Sequence, residues 1–199
     1  LVARRVRFLE ETRDRSGTVA MLAHLRANVG RDPGTDPRVW QLTMDGVPGT
    51  PRGDDPSVEE LAVHAALTLY ALHQQARPTG MHAPGVGLGR AVARLERVTG
   101  GSEPDRTSPV RRRFDAVVTS DGLTEAVQHL RGLVSQMRGA GLGLDYGMLA
   151  DDLDQLQRPG GADVVRRRWA RQYHHLDPDV GPADASTTAQ TYTNTEEQQ

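Results

Sequence analysis

Apolar residues recur along this chain at every third or fourth position, between runs of glycine and proline, and that rhythm predicts helix almost throughout. Residues 3–14 form a short basic segment of this kind. Residues 18–28 form a second, with Ser16 as the expected N-cap and Gly30 as the stop. After a loop over 31–37, Pro37 suits a first helical turn and opens a short helix carrying Val39 and Trp40. The stretch 46–56 is rich in Pro and Gly and reads as loop. Ser57 and Glu60 then stand at capping-box spacing, and Leu61, Ala65, Leu69 and Leu72 follow as an apolar stripe ahead of Pro78. Residues 87–99 predict a helix with Leu88, Val92, Leu95 and Val98 inward. After a loop over 100–109, residues 110–119 hold Phe114, Val117 and Val118.

Asp121 is the expected cap of a strong helix whose inner positions are Leu123, Ala126, Val127, Leu130, Val134 and Met137. Glycines at 139–143 break it. Residues 145–157 and 162–173 give two last helices, the final one burying Val165 and Trp169. No segment alternates with period two. The expectation is an all-α, antiparallel helical bundle with short connections, in two small helical subdomains over 1–99 and 100–176. The Thr/Ser/Gln/Ala-rich residues 177–199 read as a disordered acidic tail.

Composition narrows the chemistry. Aromatics make up 4% of the 199 residues, so Leu, Val, Ala and Met must build the core. The absence of cysteine excludes disulfides, zinc ribbons and thiol catalysis. No apolar run approaches bilayer length, and the basic residues 1–7 lack the apolar stretch of a signal peptide. The net charge of −2 conceals an asymmetry. All 24 basic residues are Arg, none beyond Arg171, and five of the 26 acids lie after it, so residues 1–171 carry 24 against 21, or +3. A GC-rich genome accounts for a preference for Arg over Lys. Arg is also the residue whose planar fork matches phosphate.

Catalytic and metal readings are weak. His64 and His73 are nine apart and not stacked on adjacent turns, and His82 and the pair at 174–175 have no carboxylate at ligand spacing. No metal or other cofactor is expected. Asp145 reads as a helix-capping acid, with Asp151, Asp152 and Asp154 on a solvated face, rather than as hydrolase carboxylates. The run Gly85-Val86-Gly87-Leu88-Gly89-Arg90 misses the dinucleotide fingerprint, because Arg90 takes the last glycine's place and no strand precedes it. Gly87 could still open a helix N-terminus to a single phosphate.

The arginines carry more. Arg90, Arg94 and Arg97 fall at i, i+4 and i+7, opposite Leu88, Val92 and Leu95, as an exposed ridge. Arg131 and Arg138 flank the apolar stripe of their helix and would border a groove. Arg111, Arg112 and Arg113 form a triplet, Arg166 to Arg168 another, and Arg26 ends the second helix. Their recurrence at helix edges without acidic i+4 partners, and without aromatics for base stacking, points to phosphate contact blind to sequence. A free-standing helix-turn-helix regulator would need base-reading side chains that the candidate helices lack.

These phrases have a familiar order. Leu25-Arg26, a tryptophan helix, Thr68-Leu69-Tyr70-Ala71-Leu72-His73-Gln74-Gln75, Gly85 to Ala91, Arg112-Arg113-Phe114, Leu130-Arg131 and Leu144-Asp145-Tyr146-x-x-Leu149-x-x-Asp152-Leu153 resemble the CasB family. That family is the small subunit of the type I-E CRISPR complex Cascade, and the likeness covers roughly residues 6–173. The resemblance implies an all-helical, non-enzymatic, cytoplasmic subunit that needs no cofactor. Its implied partners are a second copy of itself, the other Cascade subunits, the crRNA-containing complex, and the target and displaced DNA strands of an R-loop, with no membrane. It places basic site positions at Arg26, Arg90, Arg111, Arg112 and Arg131. Helical geometry adds Arg94, Arg113 and Arg138. The chain departs from the pattern at Ala27, where relatives can carry a second basic residue. The alternative is a purely structural scaffold whose arginines meet acidic faces of neighbouring proteins.

Overall fold

The computed structural model describes residues 1–51, 53–100 and 108–174. The expected tail over 177–199, His175 and most of the loop over 100–109 lie outside the described residues. Nine α-helices follow in order among the described residues: α1 (Val2–Glu11), α2 (Ser16–Ala27), α3 (Trp40–Thr43), α4 (Val58–His73), α5 (Leu88–Gly100), α6 (Pro109–Thr119), α7 (Leu123–Ala140), α8 (Tyr146–Leu156) and α9 (Gly161–His174). A 3-10 turn, Pro37–Val39, precedes α3. The expected all-α bundle is what forms.

The centre of the bundle is α4. The capping box foreseen from Ser57 and Glu60 is present, with Ser57 N donating to Glu60 Oε2 at 2.7 Å and Glu60 N to Ser57 Oγ at 3.2 Å. The burial differs from the expected stripe. Every residue from Ala62 to Ala71 is buried, while Leu61 and Leu72 are only partly so. A helix surrounded on all sides must be apolar or small all round. Ala62, Ala65, Ala66 and Ala71 meet that need by letting neighbours approach. Helices α1, α2, α3, α7 and α8 pack against α4, while α5 lies on α9 and α6 on α7.

Most polar groups drawn into this core find a partner, although His64 Nδ1 and His73 Nε2 are buried without one among the described residues. The Tyr146 hydroxyl and His73 Nδ1 hydrogen-bond at 2.8 Å, and Thr68 Oγ1 donates to the His64 carbonyl at 2.8 Å. Burial pushes His73 down to about 4, with the nearby Arg138 and Arg77 charges adding to the effect. Asp36 accepts from the Arg38 guanidinium through both oxygens and from Asn28 Nδ2, so its carboxyl lies well below the usual range. That cluster ties the end of α2 to the 3-10 turn.

Several local expectations are revised. Residue Arg15, not Ser16, precedes the first turn of α2, and no side chain caps it. Gly122, not Asp121, occupies the N-cap of α7; the Asp121 amide instead donates to Glu125 Oε2 at 2.7 Å. Val98 is 64% exposed rather than inward, because α5 has turned away from the core by its last turn. The glycine run before α5 serves packing. A Cβ on Gly89 would overlap the Trp169 carbonyl of α9, so only glycine permits this crossing. The Gly89 amide donates to Gln172 Oε1 at 3.1 Å, and a Cβ on Gly87 would meet the same Gln172 side chain. The helix N-terminus offered to a phosphate is therefore filled by α9. Gly85, at φ +79°, donates to Asp145 Oδ2 at 2.7 Å.

Candidate nucleic-acid interface

The arginines divide by what surrounds them. At the end of α4, an open cleft of about 400 Å³ is lined by Arg13, Asp14, Val19, Leu22, Arg26 and residues 74–78. Arg26 comes from the last turn of α2 and Arg77 from the turn after α4. Arg13 follows α1, whose end is joined to α2 by a 2.9 Å hydrogen bond between the Thr12 and Thr18 hydroxyls. Arg77 Nε is buried and has no hydrogen-bond partner among the described residues. The carboxylate lining the cleft is Asp14, whose side chain is 97% exposed and 4.0 Å from Arg13. Arg138 reaches the cleft's edge from α7, donating to Gln75 Oε1 at 2.7 Å and to the Leu72 carbonyl at 3.4 Å. The structure thus brings Arg26 and Arg138 to one place.

A second group lies on α6 and α7. The Arg113 stem crosses α7 at Gly132, 3.2 Å from where a Cβ would sit, which sets it beside the exposed Arg131. Arg112 is also exposed. Arg111 is half-buried and does have an acidic i+4 partner, contrary to expectation: its Nε donates to Asp115 Oδ1 at 3.0 Å. Burial pulls the Arg111 pKa down, but its Tyr173 and Asp115 contacts outweigh that and hold it above the ordinary value.

On α5, Arg97 is exposed, whereas Arg90 and Arg94 are half-buried, so the expected ridge is partly sheltered. The second triplet is structural in two of three members. Arg166 donates to the Val118 and Ser120 carbonyls, at 2.7 and 3.3 Å. Arg168 pairs with Asp152, which also accepts from Trp169 Nε1 at 2.6 Å. Asp152 is therefore not on a solvated face: it is 1% exposed, and burial raises its pKa. Asp154 is held by Arg158 at 2.7 Å, and Asp145 caps α8 through the Gly147 and Met148 amides. These three carboxylates are all engaged in holding helices.

Arg13 and Arg77 escaped the sequence reading. A lone arginine before Pro78 has no local signal, and its convergence with Arg13 and Arg26 is a tertiary fact. Among the described residues, no group of three or more His, Asp or Glu side chains gathers as a metal site, and no helix is long and apolar enough to cross a membrane.

Comparison with known proteins is decisive about kinship. Residues 21–174 match the family described as CRISPR-associated protein Cse2. The chain belongs to the Cse2 family. The crystal structure of CasB from Thermobifida fusca is 38% identical, with a TM-score of 0.73 over 87% of this chain and 96% of that one. A Cse2-family CRISPR-associated protein from Thermus thermophilus is 25% identical, with a TM-score of 0.63 over 87% of this chain and 97% of that one. No curated protein matches the chain. The Cse2 match takes in Arg26 and Arg77 of the cleft, and Arg138 beside it, and leaves Arg13 outside.

Proposed function

We propose that this Cse2-family chain is a non-catalytic subunit of a crRNA-guided DNA surveillance complex. It grips nucleic-acid backbone without reading sequence and so favours the open R-loop, with the other subunits and a second copy as its partners. The observation that carries this reading is the cleft at the end of α4, where Arg13, Arg26 and Arg77 converge with Asp14 as the one carboxylate among the described lining residues. Held in place by the fold and open to solvent, these cations meet the requirement for a phosphate contact. Exchange of DNA pairing for guide pairing is nearly balanced in energy, so modest backbone contacts suffice to tip it. With Asp145, Asp152 and Asp154 bound to helix partners, none of the three is left poised for hydrolysis.

The test is single-stranded and duplex DNA binding across a salt series, for the full chain and for Arg26→Ala plus Arg77→Ala. If about four to six phosphates are neutralised, log affinity for a single strand falls with log salt at a slope of about −3 to −4. The double variant, which removes two contacts, should flatten that slope by about 1.4, with helicity and melting unchanged. A slope near zero would sink the phosphate reading.

One observation favours the scaffold as a second reading. Phe8 and Val19 are 54% and 55% exposed, and Val19 lines the same cleft, which suits a protein neighbour. On that reading the double variant weakens assembly of the complex and leaves its hold on DNA intact.

A further inference from the structure

Arg111 stands apart from Arg112 and Arg113. Its guanidinium carbon lies 4.6 Å from the centroid of the Tyr173 ring, and Asp115 takes its Nε. Tyr173 is itself fixed. Its ring stacks on Phe114 with centroids 5.4 Å apart and planes 20° from parallel, and its hydroxyl donates to Glu96. Glu96 is buried and also accepts from Ser108 Oγ at 2.7 Å, and Ser108 Oγ in turn accepts the Arg111 amide at 3.0 Å to cap α6. Residues from α5, α6 and α9 therefore define where this guanidinium lies.

The two partners of Arg111 differ in how firmly they are held. The ring belongs to the core. The Asp115 side chain is 52% exposed, and rotating it into water leaves no buried charge behind. A guanidinium binds phosphate best through two parallel N–H donors, and the side-on arrangement uses Nε with one terminal nitrogen. Asp115 sits on that edge.

We propose that Asp115 is an intramolecular competitor for Arg111: it occupies the edge a phosphate would take, and the Tyr173 ring keeps the guanidinium in place when the carboxylate swings away. The proposal rests on the phosphate-binding reading and deepens it by naming one residue that lowers the affinity of the α6 face and one that raises it. Both are positioning residues. The exchange is of ion pairs alone. A phosphodiester chain, which brings further phosphates to Arg112 and Arg113, can displace the carboxylate where a lone anion would not.

The experiment measures single-stranded DNA affinity of the full chain at low and moderate salt. The variants are Asp115→Asn, Arg111→Ala, the two combined, Tyr173→Phe and Tyr173→Leu. Asp115→Asn should tighten binding about fivefold, the scale of one exposed ion pair, and the gain should vanish when Arg111 is Ala. Tyr173→Phe keeps the ring and should bind like the parent, whereas Tyr173→Leu should approach Arg111→Ala. An Asp115→Asn gain that persists without Arg111 would be a general field effect and would overturn the competitor. Parental affinity in a folded Tyr173→Leu would overturn the platform. If Arg111→Ala changes nothing while binding stays steep in salt, this inference fails and the phosphate reading survives. Absence of salt-dependent binding in every form removes both.

Discussion

The seam between α8 and α9 and the cleft at the end of α4 use the same side chain in opposite ways. In the seam, Arg168 is paired with Asp152, which Trp169 also holds, and just past the end of α8 Arg158 lies 2.7 Å from Asp154 and 2.8 Å from Glu59 of α4. Each guanidinium there closes a contact between helices. In the cleft, Arg13, Arg26 and Arg77 line the wall with a single carboxylate, Asp14, which lies 4.0 Å from Arg13, and Arg77 leaves a buried Nε without a partner among the described residues. Arginine content is thus a poor guide to binding in this chain. What separates these two regions is whether the fold has brought carboxylates within reach of the guanidinium.

The largest expected effect lies in the seam. Asp152→Ala leaves the Trp169 N–H unpaired in the closed interior and takes the carboxylate from Arg168, whose side chain is 42% exposed; it should destabilise the chain by about 2–4 kcal/mol, read as a lowered denaturant midpoint. A loss under about 1 kcal/mol, the range of exposed pairs, would mean that the seam is as dispensable as the cleft and would break the contrast.

The next effect belongs to the last turn of α4. His73 lies near Arg77 and Arg138 and is held down to about 4. A neutral histidine in the fold and an ordinary one near 6.5 in the unfolded chain give a defined sign: the unfolded state gains a proton first. Stability should therefore be full above about pH 6.5, fall as pH drops toward 4 by about 3 kcal/mol, and level off below. His73→Gln should flatten the decline in that window. Unfolding titrations that show no flattening would remove His73 as its source.

Arg158→Ala should have the smallest effect. Its partners are Glu59 and Asp154, its side chain is 44% exposed, and water screens the pair. The loss in melting temperature should shrink as salt rises. A large, salt-independent loss would place Arg158 with Asp152 rather than between the two regions.

The sequence was legible where local rules decide. The capping box at Ser57 and Glu60, the inward faces of α7 and α9 and the glycine stop at Gly30 all follow from spacing within a few turns. It was opaque where the deciding partner is distant. Asp152 looks solvated until α9 delivers Arg168 and Trp169, and the burial of Glu96 against Ser108 and Tyr173 has no signal in the sequence. The enclosure of α4 was missed because threonine and histidine do not register as core, and His64, Thr68 and His73 are among its buried residues. Among the arginines, sequence order brought Arg26, Arg111 and Arg131 into view as family positions. The gathering of Arg13 and Arg77 around Arg26 depends on three separate chain segments and has no local trace.

Asp145 accepts the Gly85 amide from sixty residues earlier while capping α8 with its other oxygen. Beside it the loops pair as a short parallel bridge, with Leu144 N donating to the Met81 carbonyl and Ala83 N to the Leu144 carbonyl, both at 3.1 Å, and Asp145 N adds a bond to the Val86 carbonyl at 2.8 Å. The cap of one helix is therefore wired to the turn that launches another. Closing so long a loop carries an entropic penalty that is recovered only when both ends arrive together. The first turn of α8 and the approach to α5 should thus become ordered together, so that the junction couples two distant stretches of chain as well as joining them.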